Sequence, residues 1–157
     1  MPERVPDIFF RMDDANIMYR NFTGRKGPYN AEGERSFCLD LTGENVEELA
    51  ALGWNVKWTK PREDGDDPTP YLPVSVKYVF KPPRVVLVKT NGQTNLTEDM
   101  LDLLDYVDFT KVDLIVRGWW WEVSGGAGRK AELKTMFATI FEDELERKYS
   151  MMSEEHA

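Results

Sequence analysis

The sequence predicts a mainly β chain with two short helices, and two observations carry the prediction. Apolar residues alternate with polar ones in short bursts along most of the chain, the period of strands with one dry face. Clusters of Gly, Pro, Asn and Asp separate the bursts, and these are turn residues. With 157 residues, 41% of them apolar and 12% aromatic, the chain has the length and composition of one domain with its own core.

Taken in order, the predicted strands are Ile8–Met12, Asn16–Phe22, Arg35–Leu41, Trp54–Lys60, Tyr71–Phe80, Arg84–Thr90, Val112–Val123 and Lys130–Phe141. Trp54, Val56 and Trp58 alternate with Asn55, Lys57 and Thr59. Leu72, Val74, Val76 and Tyr78 alternate with Pro73, Ser75, Lys77 and Val79. Two stretches read as helix. In Glu44–Leu52, Val46, Leu49 and Ala50 fall at i, i+3 and i+4, and Gly53 follows as a stop. In Thr97–Asp105, Thr97 suits an N-cap, Glu98 and Asp99 suit the positive end of the helix dipole, and Met100, Leu101 and Leu104 form an apolar stripe. Gly24–Gly33 is a long loop carrying Arg25 and Lys26, Arg62–Pro70 is an acidic loop, and Ser124–Gly128 joins the last two strands as a hairpin. This order of elements fits an OB-fold-like Greek-key β-barrel, the oligonucleotide-binding architecture, with a helix before its last long strands. A jelly roll or sandwich accepts the same number of strands.

Composition narrows the chemistry. The single Cys38 and single His156 cannot build a Cys₄ or Cys₂His₂ zinc site, and no nucleophile-elbow or phosphate-loop pattern occurs. Cys38 reads as a small buried hydrophobe. Asp13-Asp14-Ala15-Asn16 contains two carboxylates that suit a hard cation, but it suits a turn better. No segment approaches a membrane span, and Met1–Asp7 lacks the basic start and apolar stretch of a secretory signal, so a cytoplasmic location is expected. The net charge of -8 argues at first against nucleic acid, yet it is unevenly spread. Six acids face two bases between residues 142 and 157, which accounts for half of it. The expected division is therefore a binding domain over residues 1–141 and an acidic tail over residues 142–157.

The bases accumulate beside aromatics. Trp54-Asn55-Val56-Lys57-Trp58-Thr59-Lys60-Pro61-Arg62 sets two tryptophans among three bases, and Arg117-Gly118-Trp119-Trp120-Trp121 sets three behind an arginine. Single-stranded nucleic acid is held in this way: bases stack on aromatic faces while Lys and Arg follow the phosphates, without sequence preference. Arg25, Lys26, Tyr29, Tyr71, Lys77, Arg84, Lys89, Arg129 and Lys130 would extend such a groove. Alternation puts Trp119 and Trp121 on one face and Trp120 on the other, so part of this cluster belongs to the core. Binding of this kind needs no cofactor and no catalytic residue.

The segments Met12–Phe22, Gly27–Phe37, Gly53–Asp66 and Thr135–Ile140 together resemble a group of small proteins of tailed phages of actinobacteria, described as single-stranded DNA-binding proteins with an OB-like fold. The resemblance spans nearly the whole chain. It implies non-enzymatic coating of single strands in phage replication or recombination, with the acidic tail reaching other replication proteins. The competing expectation is a structural or assembly β-barrel of a phage whose exposed aromatics bind another protein. Aromatics and bases converging in one concave groove favour the first reading, and a flat apolar patch without bases favours the second. Edge strands or the Trp-rich hairpin pairing across a two-fold axis would make a homodimer.

Overall fold

The period-two pattern becomes nine strands in the computed structural model, which describes residues 5–28, 30–60, 65, 67–90 and 92–140. They are β1 (Ile8–Met12), β2 (Ile17–Asn21), β3 (Arg35–Asp40), β4 (Lys57–Trp58), β5 (Pro70–Val76), β6 (Arg84–Lys89), β7 (Gly92–Leu96), β8 (Phe109–Val123) and β9 (Gly126–Ile140). Helix α1 (Val46–Ala51) follows β3, and a 3₁₀ helix (Glu98–Asp105) precedes β8. All the strands belong to one sheet with the path β1-β8-β9-β5-β3-β2. The two ends of that path, β1 and β2, are consecutive in the chain and separated by only Asp13–Asn16, so the sheet must curl back on itself. No ladder joins β1 to β2 among the described residues, and the barrel is therefore open.

Alternation decides what lies inside. Phe37 and Leu39 of β3, Leu72, Val74 and Val76 of β5, and Val112, Leu114 and Val116 of β8 are all buried. β9 is too long and twisted to keep one parity against this curved core. A bulge sets Ile115 opposite Thr135 but Val116 opposite Leu133. Ala131 and Leu133 therefore point inward before it, and Met136, Ala138 and Ile140 after it. The 3₁₀ helix plugs the curl with Leu101 and Leu104, both fully buried. Its end is tied down by Asp105, whose carboxylate accepts from Phe22 N (2.8 Å), Thr23 N (2.9 Å) and Thr23 Oγ1 (2.6 Å). Arg20 Nη1 adds bonds to the carbonyls of Leu104 (3.0 Å) and Val107 (2.6 Å). In α1 the Asn45 side chain accepts from Glu48 N, as an N-cap should.

Several elements depart from the sequence pattern, β8 among them, which begins at Phe109 rather than Val112. The predicted strand Trp54–Lys60 pairs only at Lys57 and Trp58, because Trp54 turns inward to bridge Arg129. Tyr71–Phe80 ends at Val76, ahead of a turn. β7 has no apolar alternation, since Gly92–Asn95 are exposed at a sheet edge and only Leu96 is buried. The hairpin loop shrinks to Ser124-Gly125, with Gly125 at φ 102°, and β9 begins at Gly126. Asp13-Asp14-Ala15-Asn16 is a turn, in which Asp13 faces Arg11 and Asp14 N donates to Asp113 Oδ1 (2.8 Å). The acidic tail, residues 142–157, lies outside the described residues.

Candidate nucleic-acid interface

Strand parity places the site on the outer side of the sheet. Tyr71, Pro73 and Ser75 leave β5 opposite to its buried residues, and Lys77 follows β5 near the same surface. On the β8–β9 hairpin the outer row is Arg117, Trp119 and Trp121 facing Glu132, Lys130 and Gly128 in register. β1 stops opposite Gly118 and β5 pairs with β9 only at Ser75 and Glu132 among the described residues. Beyond these points the hairpin pairs with no further strand of the sheet among the described residues, and the Gly53–Trp54 segment packs against it at Trp120 and Arg129 to leave its tip as an arm.

A groove of about 1020 Å³ lies between this arm, the end of β5 and the loop before β3. Lys77, Arg117, Trp119 and Lys130 meet in it, together with Arg35, Tyr78, Phe80 and Lys81. A second depression of about 500 Å³, lined by Asn55, Pro73 and Trp121, shares Ser75 and Lys130 with the first. Further along the same face, Lys57 is paired with Tyr71, whose ring packs edge-on against Tyr19 at 5.9 Å; Trp58, paired with Pro70, has the opposite parity and is 54% exposed on the other side of the strand. Burial pushes the nearby Cys38 thiol up to about 11, with Lys57 pulling the other way.

The groove's charges divide into paired and unpaired. Arg117 Nη2 donates to Glu132 Oε2 (2.6 Å), and Arg35 Nη1 to Glu98 Oε1 (3.0 Å). Lys81 Nζ lies 4.0 Å from Asp7 Oδ2. Lys77 and Lys130 have no ion-pair partner among the described residues. Instead they face each other. The close approach of Lys77, then burial, pull the Lys130 ammonium below the ordinary 10.5, against Glu132 and Glu34. Two adjacent ammoniums repel, and an anion seated between them relieves the repulsion. On the same groove, Tyr78 Oη and Arg117 Nε are buried and make no hydrogen bond among the described residues.

The remaining candidates separate. Trp54 is 4% exposed and belongs to the core, and so does Arg129, which is 6% exposed. Arg129 donates to the carbonyls of Leu52 (2.8 Å), Pro6 (3.0 Å) and Gly118 (3.0 Å), with its guanidinium over Trp120 at 5.5 Å. Both side chains are held by internal contacts, and both residues border the second depression from its inner side. Arg25 lies 4.0 Å from Asp105 and, like Lys26, Lys60 and Lys89, does not line either hollow. Arg84 sits over Phe137 at 5.2 Å, away from both. Tyr29 and Arg62 lie outside the described residues. Sequence reasoning missed Phe80, Lys81 and Arg35. The Lys81-Pro82-Pro83 run, which cannot continue a central strand, was the signal that Phe80 belongs to a turn.

Residues 3–157 match the model of a family described as "Putative phage ssDNA-binding domain". Three solved structures of the single-stranded DNA-binding protein from bacteriophage Enc34 are similar in fold. The one in complex with ssDNA aligns with a TM-score of 0.55 at 12% identity, covering 86% of this chain and 88% of that one. The C-terminal truncation aligns at 0.51 with 12% identity over 86% and 87% of the two chains. The third aligns at 0.53 with 12% identity over 86% and 82%. No curated relative matches the chain.

Proposed function

We propose what the groove does on the premise that this chain belongs to the phage single-stranded DNA-binding family, whose model covers residues 3–157. It binds single-stranded DNA without enzymatic turnover and largely without regard to sequence. Phosphates sit at the Lys77–Lys130 pair, bases stack on Trp119 and Trp121, and the strand continues across β5 toward Tyr71 and Lys57. The carrying observation is that pair: two facing ammoniums beside a half-buried tryptophan in an open groove. Such a pair is unfavourable in the free protein and favourable around a phosphate, while each stacked base contributes about 1–3 kcal/mol. The phage-assembly reading needs a flat apolar patch without bases, whereas this hollow combines bases with aromatics.

Coating of single strands during phage replication or recombination, in the host cytoplasm, follows as the biological role. The acidic segment 142–157 would compete with DNA for the groove and reach basic partner proteins. Titration of the protein with oligo-dT at low and high salt tests the reading. The expected result is quenched tryptophan emission with affinity falling steeply as salt rises; no quenching and no retardation at low salt would remove it.

A further inference from the structure

One residue on the rim of the groove is held in a manner its own packing does not explain. Phe80 is 97% exposed, although burial of a phenylalanine is favourable and Val79 beside it is also exposed. Its backbone has φ 70°, and Lys81 N donates to Val79 O (2.9 Å) across it. That closes a three-residue turn in its rare, strained form. Glycine or asparagine is the residue such a turn prefers, so the chain holds a bulky ring in a costly conformation and leaves it in water. The turn is anchored on both sides. Tyr78 packs against the core, Pro83 is buried, and Lys81 reaches Asp7. Strain fixed by its surroundings at the rim of a site is the pattern of a pre-positioned contact residue.

We propose that Phe80 is a nucleobase-stacking residue, presented by this strained turn as the second jaw of the groove opposite the Trp119 arm. The proposal rests on the single-stranded DNA reading above and deepens it. Lys77 and Lys81 flank the ring within one turn, so a base on Phe80 has its phosphates beside two ammoniums. A contact for another protein would instead extend the apolar surface around the ring. Here the adjoining exposed apolar residue is Val79, and the turn between Lys77 and Lys81 holds no other.

Fluorescein-labelled oligo-dT anisotropy on the full chain tests this with Phe80→Gly, Phe80→Leu and Phe80→Trp, alongside Lys77→Ala/Lys130→Ala. Phe80→Gly is expected to melt at or above the wild-type temperature, because glycine accepts the positive φ, yet to bind about fivefold to a hundredfold more weakly. Phe80→Leu should lose affinity similarly, while Phe80→Trp keeps it and adds quenching on binding. If the wild type binds and the lysine variant is weakened, but Phe80→Gly and Phe80→Leu bind like wild type, this proposal falls and the groove stands. If the wild type does not bind oligo-dT at low salt, both fall together.

Discussion

The indole of Trp54 packs so directly on Gly118 that a Cβ at position 118 would lie 2.5 Å from its Cη2. The glycine in the middle of β8 is thus the seat of a core tryptophan, and the strand that carries Trp119 and Trp121 outward is braced from behind by Trp54. Replacing Gly118 by alanine is expected to destabilise the fold by about 1–3 kcal/mol through overpacking, and Trp54→Ala by about 3–5 kcal/mol through the cavity it leaves. Urea melts measure both. Iodide should quench the emission of Trp54 poorly, and added oligo-dT should leave that component unchanged.

Arg129 behaves as a structural cation. It satisfies three backbone carbonyls from three different segments, at Pro6, Leu52 and Gly118, and so ties the hairpin arm to α1 and to the start of the chain. Arg129→Lys cannot reproduce that fork and should lose about 1.5–3 kcal/mol. Oligo-dT affinity, measured where the variant is still folded, should change far less than its melting temperature.

The facing lysines give DNA binding and stability opposite responses to alkali. Lys77 and burial lower the Lys130 pKa from 10.5 in the free protein, and a phosphate seated beside it raises that pKa again. Binding therefore takes up a proton in the window just below 10.5, and affinity should fall there as pH rises. In the same window the unfolded chain binds more protons than the folded one, so on this group's account stability rises with pH. Affinity and urea midpoints measured across that range check both signs, and Lys77→Ala should move the affinity drop to higher pH.

The residues that made the fold legible were the alternating ones. β1, β3, β5, β8 and β9 announce themselves by parity, β6 by its continuous apolar run Val85–Val88, and the short α1 by its spacing and its glycine stop. β7 was invisible because an edge strand exposed on four of its five positions has no reason to alternate. The barrel stayed open because closure is a matter of sheet curvature, which the bulge at Lys134 and the Asp13–Asn16 turn set without a sequence period. The site was half legible. Lys77, Arg117, Trp119 and Lys130 converge, but closeness to a tryptophan in sequence did not separate them from Trp54 and Arg129, which are pulled into the core, nor from Arg84 and Lys89 on β6. Phe80 was hidden inside what read as a continuous strand, since Tyr78-Val79-Phe80 is aromatic and β-branched throughout.

The central claim is that phosphate is held where Lys77 and Lys130 face each other. The salt dependence of oligo-dT affinity for wild type and for Lys77→Ala/Lys130→Ala tests it most directly. Loss of two phosphate contacts should weaken binding at low salt and reduce the slope of log K against log salt by about 1.4. The same slope and the same affinity in the double variant, with its melting temperature unchanged, would contradict the account.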